Sequence, residues 1–501
     1  MAATDGAAAP GARTPLYSES YKQTVLWLLV LAYTFNFIDR TIISTIGQAI
    51  KVDLKLTDTE LGLLGGLAFA LLYTTLGIPI ARLAERKNRV NIISIAIVVW
   101  SGFTALCGLA QNFLQLLLFR VGVGVGEAGL SPPAHSLISD YYEPKRRASA
   151  LSIYSFGIPL GTMFGAVAGG WIAQNIDWRA AFVLVGLPGI IVAILLKIFV
   201  KEPPRGYSDR LAAETGGLAD AAVLEGDETA PAVHDPLAGK PPSIAAVAKR
   251  IFGRWGFFHM VAGITLASFA AYGTGQYQAP YFIRMFGLDL ATVGLIFGVV
   301  GGIAAGAGTL LGGFLTDFAA KRSGRWYALV PAIGLLVAAP LYILVYTREN
   351  WQLAAGLLLL PGIFHYTYLG PTFGVIQNAV SLRMRATATA LLFFVLNLIA
   401  LGFGPPFCGW CIDMLSQAKF AATGLGNFFE LCPGGIGLEG AGAAVDAACK
   451  AAMAAGTREG IVLNLLIYAW AGLHYLLAAI TLPKDMADAI AQTQAEAAAG
   501  A

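Results

Sequence analysis

The chain has 501 residues, 57% of them hydrophobic and only 13% charged, with a net charge of +3. Soluble domains carry about 25% charged residues, so this composition, with a mean hydropathy of +0.67, excludes an ordinary soluble globule. The small positive balance gives no electrostatic case for nucleic acid, and five scattered cysteines give none for a disulfide framework.

Taken in chain order, residues 1–23 begin Ala/Gly/Pro-rich and are expected to be disordered; they lack the short basic-then-apolar pattern of a signal peptide. Hydropathy then predicts twelve membrane-crossing helices. Span 1, at about 24–46, carries Asn36, Asp39 and Arg40 in its outer half. Ionisable residues at membrane depth are costly and usually face a cavity or a partner. Span 2, at 60–81, ends in the loop Ala81–Arg89, which contains Glu85, Arg86 and Arg89. Span 3 covers 90–110. Span 4, at 113–139, carries Arg120 and Glu127, seven residues apart and so on one helix face. Gly124–Gly129 is a literal GxGxxG, but no strand precedes it and no βαβ unit surrounds it, so no dinucleotide site is expected. Span 5, at 148–173, has glycines at 157, 161, 165 and 169; span 6 covers 178–200.

The polar segment 201–255 reads as a linker, with a short amphipathic helix near Ile244–Phe252. Span 7, at 256–282, offers Tyr272, Gln276, Tyr277 and Gln278. Span 8, at 291–316, has glycines at 294, 298, 302 and 306, and leads into Gly313–Asp317 followed by Lys321 and Arg322. That loop repeats the pattern after span 2, a small residue four before an acid with bases following, which points to a duplicated transporter. Four-residue glycine steps let helix backbones approach closely, and the two ladders are expected to meet between the halves. Span 9 is 326–346. Span 10, at 352–380, holds Phe364, His365, Tyr366 and Tyr368. Span 11, at 386–413, contains Cys408 and Cys411, read as packing residues. An outer loop, 414–460, contains Cys432 and Cys449, which could pair in an oxidising compartment. Span 12 is 461–482, and 485–501 form a tail.

The reading is therefore an all-α membrane protein with six-helix bundles at 24–200 and 256–484. With the N-terminus inside, 23 of the 33 Lys and Arg lie on inner segments and eight on outer ones. That bias places both termini and the linker in the cytoplasm and the protein in the cell membrane. At about 1.5 Å rise per residue, Asp39 and Arg120 fall at matching depth, with Glu127 about 10 Å further in. Asp39, Arg40, Arg120 and Glu127 thus form a candidate polar ladder in the first half. The second half offers aromatics with a few amides, suited to an amphiphilic or aromatic ligand. Its candidate cavity residues are Tyr272, Gln276, Tyr277, His365 and Tyr368, with Asn36 from the first half. An intramembrane enzyme would need a converging catalytic set, whereas the five histidines are scattered and none is paired at helical spacing. No enzyme activity, metal or cofactor is expected.

The loop at 81–89 resembles the Gly-x-x-x-Asp-Arg-x-Gly-Arg signature of the major facilitator superfamily, departing at Ala81, Glu85 and Asn88. Within that superfamily the chain most resembles the Spinster group. The supporting residues are Asn36 to Arg40, Arg120 to Ala128, Ser139 to Tyr142, Lys145 to Ala148, and Ser152 to Gly161. The resemblance implies proton-linked, alternating-access transport of lysophospholipids, sphingoid phosphates or other amphiphiles. Asp39 and Glu127 would be the coupling acids, Arg40 and Arg120 their network and the substrate-head site, and Glu85, Arg86, Arg89 and Asp317 the gating loops. Expected partners are a small amphiphile, protons and the bilayer, with the protein a monomer. The anion:cation symporter family, which also favours an Asp-Arg in span 1 and Glu-Ala-Gly in span 4, implies an organic anion instead. A gradient-independent flippase on the same fold is the remaining alternative.

Overall fold

Side-chain caps fix many of the helix starts. The computed structural model describes residues 16–208, 243–381 and 384–499. In it, Ser18 accepts from the Tyr21 amide and starts span 1 (Glu19–Thr45). Thr57 and Glu60 form a capping box at the head of span 2 (Asp58–Arg86). Asn88 and Asn112 cap span 3 (Arg89–Cys107) and span 4 (Phe113–Tyr141). Spans 5 and 6 are Ser149–Asn175 and Trp178–Phe199. The short helix Ile244–Phe252 precedes span 7 (Trp255–Phe286). Asp289 caps span 8 (Leu290–Ala320). Its carboxyl is held below the usual range by hydrogen bonds from Thr292. Spans 9 to 12 are Trp326–Tyr346, Trp351–Asn378, Thr387–Ala421 and Ala443–Ala495.

Among the described residues two large hydrophobic cores form, with a small third one around Phe420, Phe428 and the Cys432–Cys449 disulfide. One is built from residues of spans 1 to 6, the other mainly from spans 7 to 12 and the Ile244–Phe252 helix. We call the face where span 1 begins and span 12 ends the terminal face, and the opposite one the distal face. Spans 5 and 8 touch near the distal face: a Cβ on Gly294 would stand 2.2 Å from the Ala166 carbonyl oxygen, and one on Gly170 2.4 Å from that of Leu290. Spans 2 and 11 approach similarly, with Gly62 against the Pro405 backbone. Towards the terminal face these pairs part. Among the described residues, nothing stands within 4 Å of a Cβ on Gly77, Gly302 or Gly306. The result is a cleft between the halves, shut distally and open towards the terminal face.

Three expectations need correcting. The glycines of span 5 do not face span 8: Gly157, Gly161, Gly165 and Gly169 pack on Tyr33, Thr34, Phe37, Ile38 and Ile42 of span 1, and Gly170 makes the contact between halves. Helix 1 begins at Glu19, within the segment expected to be disordered, because Ser18 caps it and Tyr17 and Tyr21 pack on Tyr141. The outer loop 414–460 is mostly helical. Span 11 runs to Ala421, and one helix runs from Ala443 to Ala499, taking in most of the expected tail. Its Ala-rich start has high helix propensity, and Asp446 pairs with Lys450 at 2.7 Å one turn on. Cys432 and Cys449 form a disulfide between the remaining loop and this helix. Residues 1–15 and 209–242, including most of the expected linker, lie outside the described residues.

The glycine contacts give a direct prediction. Gly161→Leu would drive a side chain into the Thr34 carbonyl, 2.4 Å from its Cβ, and into Phe37. Overpacking of this kind costs about 1–3 kcal/mol, so the melting temperature is expected to fall. Gly302→Leu points into open space and is expected to leave it unchanged. Thermal unfolding of the two purified variants checks the pair.

Candidate functional site

Helix breaks gather near mid-membrane. Span 4 is regular to Glu127, then interrupted before it restarts at Ser131 with prolines in its first turn. Pro132 and Pro133 lack the amides that would bond the carbonyls of Ala128 and Gly129, so Glu127 sits at the end of a helical segment. Span 10 changes to a 3₁₀ turn at Tyr366–Tyr368, directly after His365. Span 11 carries a π segment, Leu396–Leu401, before Pro405 and Pro406, a feature frequent at functional sites.

The four charges of the first half are brought together. Arg40 Nε donates to Glu127 Oε2 at 2.6 Å. Its guanidinium lies over the rings of Tyr73, Phe69 and Phe37, with centroids 4.6, 4.8 and 5.1 Å away. The Arg40 side chain is 21% exposed and that of Glu127 fully buried. Arg40 is therefore the cation of this cluster that the cleft can reach. Asp39, one residue earlier, turns the other way. Its Oδ2 accepts from the Thr104 hydroxyl at 3.1 Å, while its buried Oδ1 has no hydrogen-bond partner among the described residues. Arg120 does not ion-pair with the Asp39 carboxylate. It reaches the backbone carbonyls of Asp39 and Leu64, each at 3.4 Å. Asn36 is buried beside Glu127.

The candidate residues of the second half divide. Tyr272 is 42% exposed and within electrostatic reach of Arg40 and Tyr73 across the cleft. His365 lies deeper, with Tyr342 Oη at 3.2 Å and Tyr468 Oη at 3.4 Å. A small cavity beside it is lined by Thr274, Gln278, Phe297, Tyr342 and Tyr366. Tyr368 is buried and shares a hydrogen bond with Ser268. Gln276 wedges between Gly47 and Gly65 of the first half. Tyr277 is instead fully buried, its hydroxyl donating to the Asp58 carbonyl at the distal face.

That contact belongs to a cluster that composition did not reveal. Asp58 accepts from Lys51 Nζ at 2.9 Å and from both Arg284 Nη atoms at 2.6 and 3.1 Å. Arg284 also reaches Gln48 and Thr457, each at 2.7 Å. From span 11, Asp413 accepts from the amides of Asp58 and Thr59 at 2.9 and 2.7 Å, capping the head of span 2 from the other half. The Lys51, Asp58 and Arg284 side chains are no more than 2% exposed. Burial pushes the Lys51 ammonium below its usual value, while Asp58 draws it up. In the sequence Lys51 and Arg284 read as loop charges; the one available signal was Asp413, an acid at the end of an apolar span.

The gating candidates are split as well. Glu85, Arg86 and Asp317 are exposed at the open terminal face. Arg89 is fully buried, bonding Asp140 at 2.5 Å and Glu202 at 2.7 Å within the first half. Arg205 donates to the Ala84 and Lys87 carbonyls, tying the chain after span 6 to the end of span 2. Two histidines that the chain keeps far apart meet between spans 7 and 12, His259 Nδ1 lying 2.7 Å from His474 Nδ1. Cys408 and Cys411 are free and buried. Replacing both with Ala is expected to preserve transport; loss of transport in a normally folded variant would give them a chemical role.

The family model of the Major Facilitator Superfamily matches residues 29–405. Among solved structures, a bacterial homologue of the human lysosomal transporter Spinster, in an inward-facing and unoccupied conformation, is 35% identical. It superposes with a TM-score of 0.81 over 94% of this chain and 99% of that one. An MFS-type efflux pump of Mycolicibacterium smegmatis is 31% identical, covering 83% of this chain and 90% of the pump. The hexuronate transporter of Bacillus subtilis is 27% identical over 82% of this chain and 93% of its own. The sphingosine-1-phosphate transporter SPNS2 of Xenopus tropicalis is 27% identical over 81% of this chain and 78% of its own.

Proposed function

The chain belongs to the Major Facilitator Superfamily, in its Spinster branch, and from that premise we propose that it is a proton-coupled secondary transporter of an amphiphilic anion. Its family and fold are those of membrane transporters. The observation that supports the coupling is the split of the buried cluster: Glu127 is ion-paired with Arg40, while the Asp39 carboxylate has no ion pair among the described residues and accepts from the Thr104 hydroxyl. In this proposal Asp39 is the group that loads a proton. Glu127 is the second site, released when a substrate anion competes for Arg40.

The substrate reading rests on the asymmetry of the cleft. A cation cradled by Phe37, Phe69 and Tyr73 on one wall suits an anionic head. Tyr272 on the opposite wall, with the aromatic cavity beside His365, suits an apolar tail. The terminal face is taken as cytoplasmic, from the Lys and Arg bias and from the disulfide at the distal face, which fits an oxidising compartment. On that orientation the structure is an inward-open state, and the cycle rocks 24–200 against 256–484.

Reconstitution in proteoliposomes tests the proposal. An imposed proton gradient is expected to drive accumulation of a lysophospholipid or sphingoid phosphate, and flux that ignores the gradient would instead indicate a flippase. The kinship with a hexuronate transporter favours one second reading, symport of a small organic anion through the same Arg40 site. A thermal-shift screen separates the two, since a ligand that binds the native state raises apparent stability. Stabilisation by sugar acids but not by lysolipids would select the second reading.

A further inference from the structure

We propose that the groove between spans 3 and 6, on the outer wall of the first half, binds one anionic phospholipid from the leaflet at the terminal face. The groove has a volume of about 520 Å³, within the range of about 300–1,000 Å³ typical of small-molecule sites. Ile95, Val98, Ile194 and Ile198 line it. All four are exposed, so the surface faces the bilayer, away from the substrate cleft. It stands independently of the substrate reading above.

Two features distinguish the groove from ordinary lipid-facing surface. At its terminal end Lys197, in the last turn of span 6, donates to the Asn91 side chain. Two carboxylates at this end of the first half, Asp140 and Glu202, are bonded by Arg89, and among the described residues no carboxylate pairs with Lys197. Further in, Ser94 lines the groove, is 8% exposed, and its hydroxyl has no partner among the described residues. A lone ammonium at headgroup depth, an unsatisfied hydroxyl below it and an apolar channel beyond match a phosphate, a glycerol-ester oxygen and an acyl chain. From Asn91 to Val99 the helix rises about 12 Å, most of one leaflet of a core about 30 Å thick. No acidic side chain lines the groove to meet a choline or ethanolamine, so charge complementarity selects a head with net negative charge. A lysine near an anionic surface contributes about 1 kcal/mol, a factor of about five in affinity.

Native mass spectrometry of the delipidated full-length protein, titrated with phosphatidylglycerol or phosphatidylcholine of the same acyl chains, is the test. One phosphatidylglycerol is expected to be retained about fivefold more tightly than phosphatidylcholine. Lys197→Gln is expected to remove that preference. Val98→Trp, which fills the groove from an exposed position, is expected to abolish the tight site for both lipids while the melting temperature stays unchanged. Equal retention of the two lipids by the unmodified protein, or an undiminished preference in Lys197→Gln, would overturn the proposal. So would competition by glycerol phosphate at concentrations equal to the lipid, which would make the site a plain anion site.

Discussion

Asp39→Asn is expected to lose gradient-driven accumulation completely while retaining substrate binding in detergent. Asp39 is 2% exposed, its carboxyl is held by Thr104 alone among the described residues, and the Arg120 guanidinium addresses the Asp39 backbone carbonyl rather than the carboxylate. Small motion of span 4 against span 1 would place Arg120 on the carboxylate or withdraw it. A guanidinium beside a carboxylate favours its charged form, and desolvation without one favours the neutral form. Asparagine keeps the shape and the Thr104 contact but carries no proton, so the substitution removes coupling without removing a wall of the site. Arg40, which holds Glu127 and faces the cleft, is untouched, and binding should persist. Flux under an imposed pH gradient, measured beside equilibrium binding, reads both. An Asp39→Asn protein that transports with an unchanged pH dependence would reduce Asp39 to a structural role and move coupling to Glu127 or His365. Glu127→Gln is expected to act differently. It frees Arg40 and should raise affinity for an anionic ligand while impairing turnover.

Arg284→Ala is expected to open the distal face. Arg284, its side chain fully buried, holds Asp58 with two hydrogen bonds and reaches Gln48 and Thr457 as well. Removing one member of a buried ionic cluster costs up to about 3–5 kcal/mol, because Lys51 is then the one base, among the described residues, left for two buried carboxylates, Asp58 and Asp413. Here the loss falls on one state only. Rocking open the distal face would hydrate Asp58 and Lys51, so the penalty is relieved there. A change of that size moves a two-state ratio by about two to three and a half powers of ten. Spin labels at Lys55→Cys and Thr423→Cys, both exposed distal positions on opposite halves, are expected to show a new long-distance population. Asp413→Asn keeps an acceptor for one of the two amides, which bond different oxygens of the carboxylate, and should shift the equilibrium less. An unchanged distance distribution in Arg284→Ala would mean that the remaining contacts, the glycine approaches of spans 5 with 8 and 2 with 11 and the bonds of Asp413 and Tyr277, suffice to hold the face shut.

Much of this was legible in the chain itself. Hydropathy alone locates the twelve spans, because a bilayer demands long apolar helices whose backbone groups are satisfied internally. The expense of charge at membrane depth singled out Asp39, Arg40, Arg120 and Glu127, and a rise of 1.5 Å per residue set them at compatible heights. Which of the four pair was beyond that arithmetic: depth fixes height, but helix rotation and the break after Glu127 decide that Arg40 takes Glu127 and that Arg120 turns to backbone carbonyls. The same limit explains the glycine ladders. A four-residue step marks a face without naming its partner, and close packing inside one half satisfies it as well as contact between halves. Tyr277 left the cavity for the same reason, its hydroxyl finding an acceptor across the interface. The distal lock was least legible. Lys51 with Asp58, Arg284 and Asp413 come from three separate stretches of chain, and the first three residues read as ordinary loop or helix-end charges. Only the closure of one half on the other removes them from water and turns them into a bond between the two.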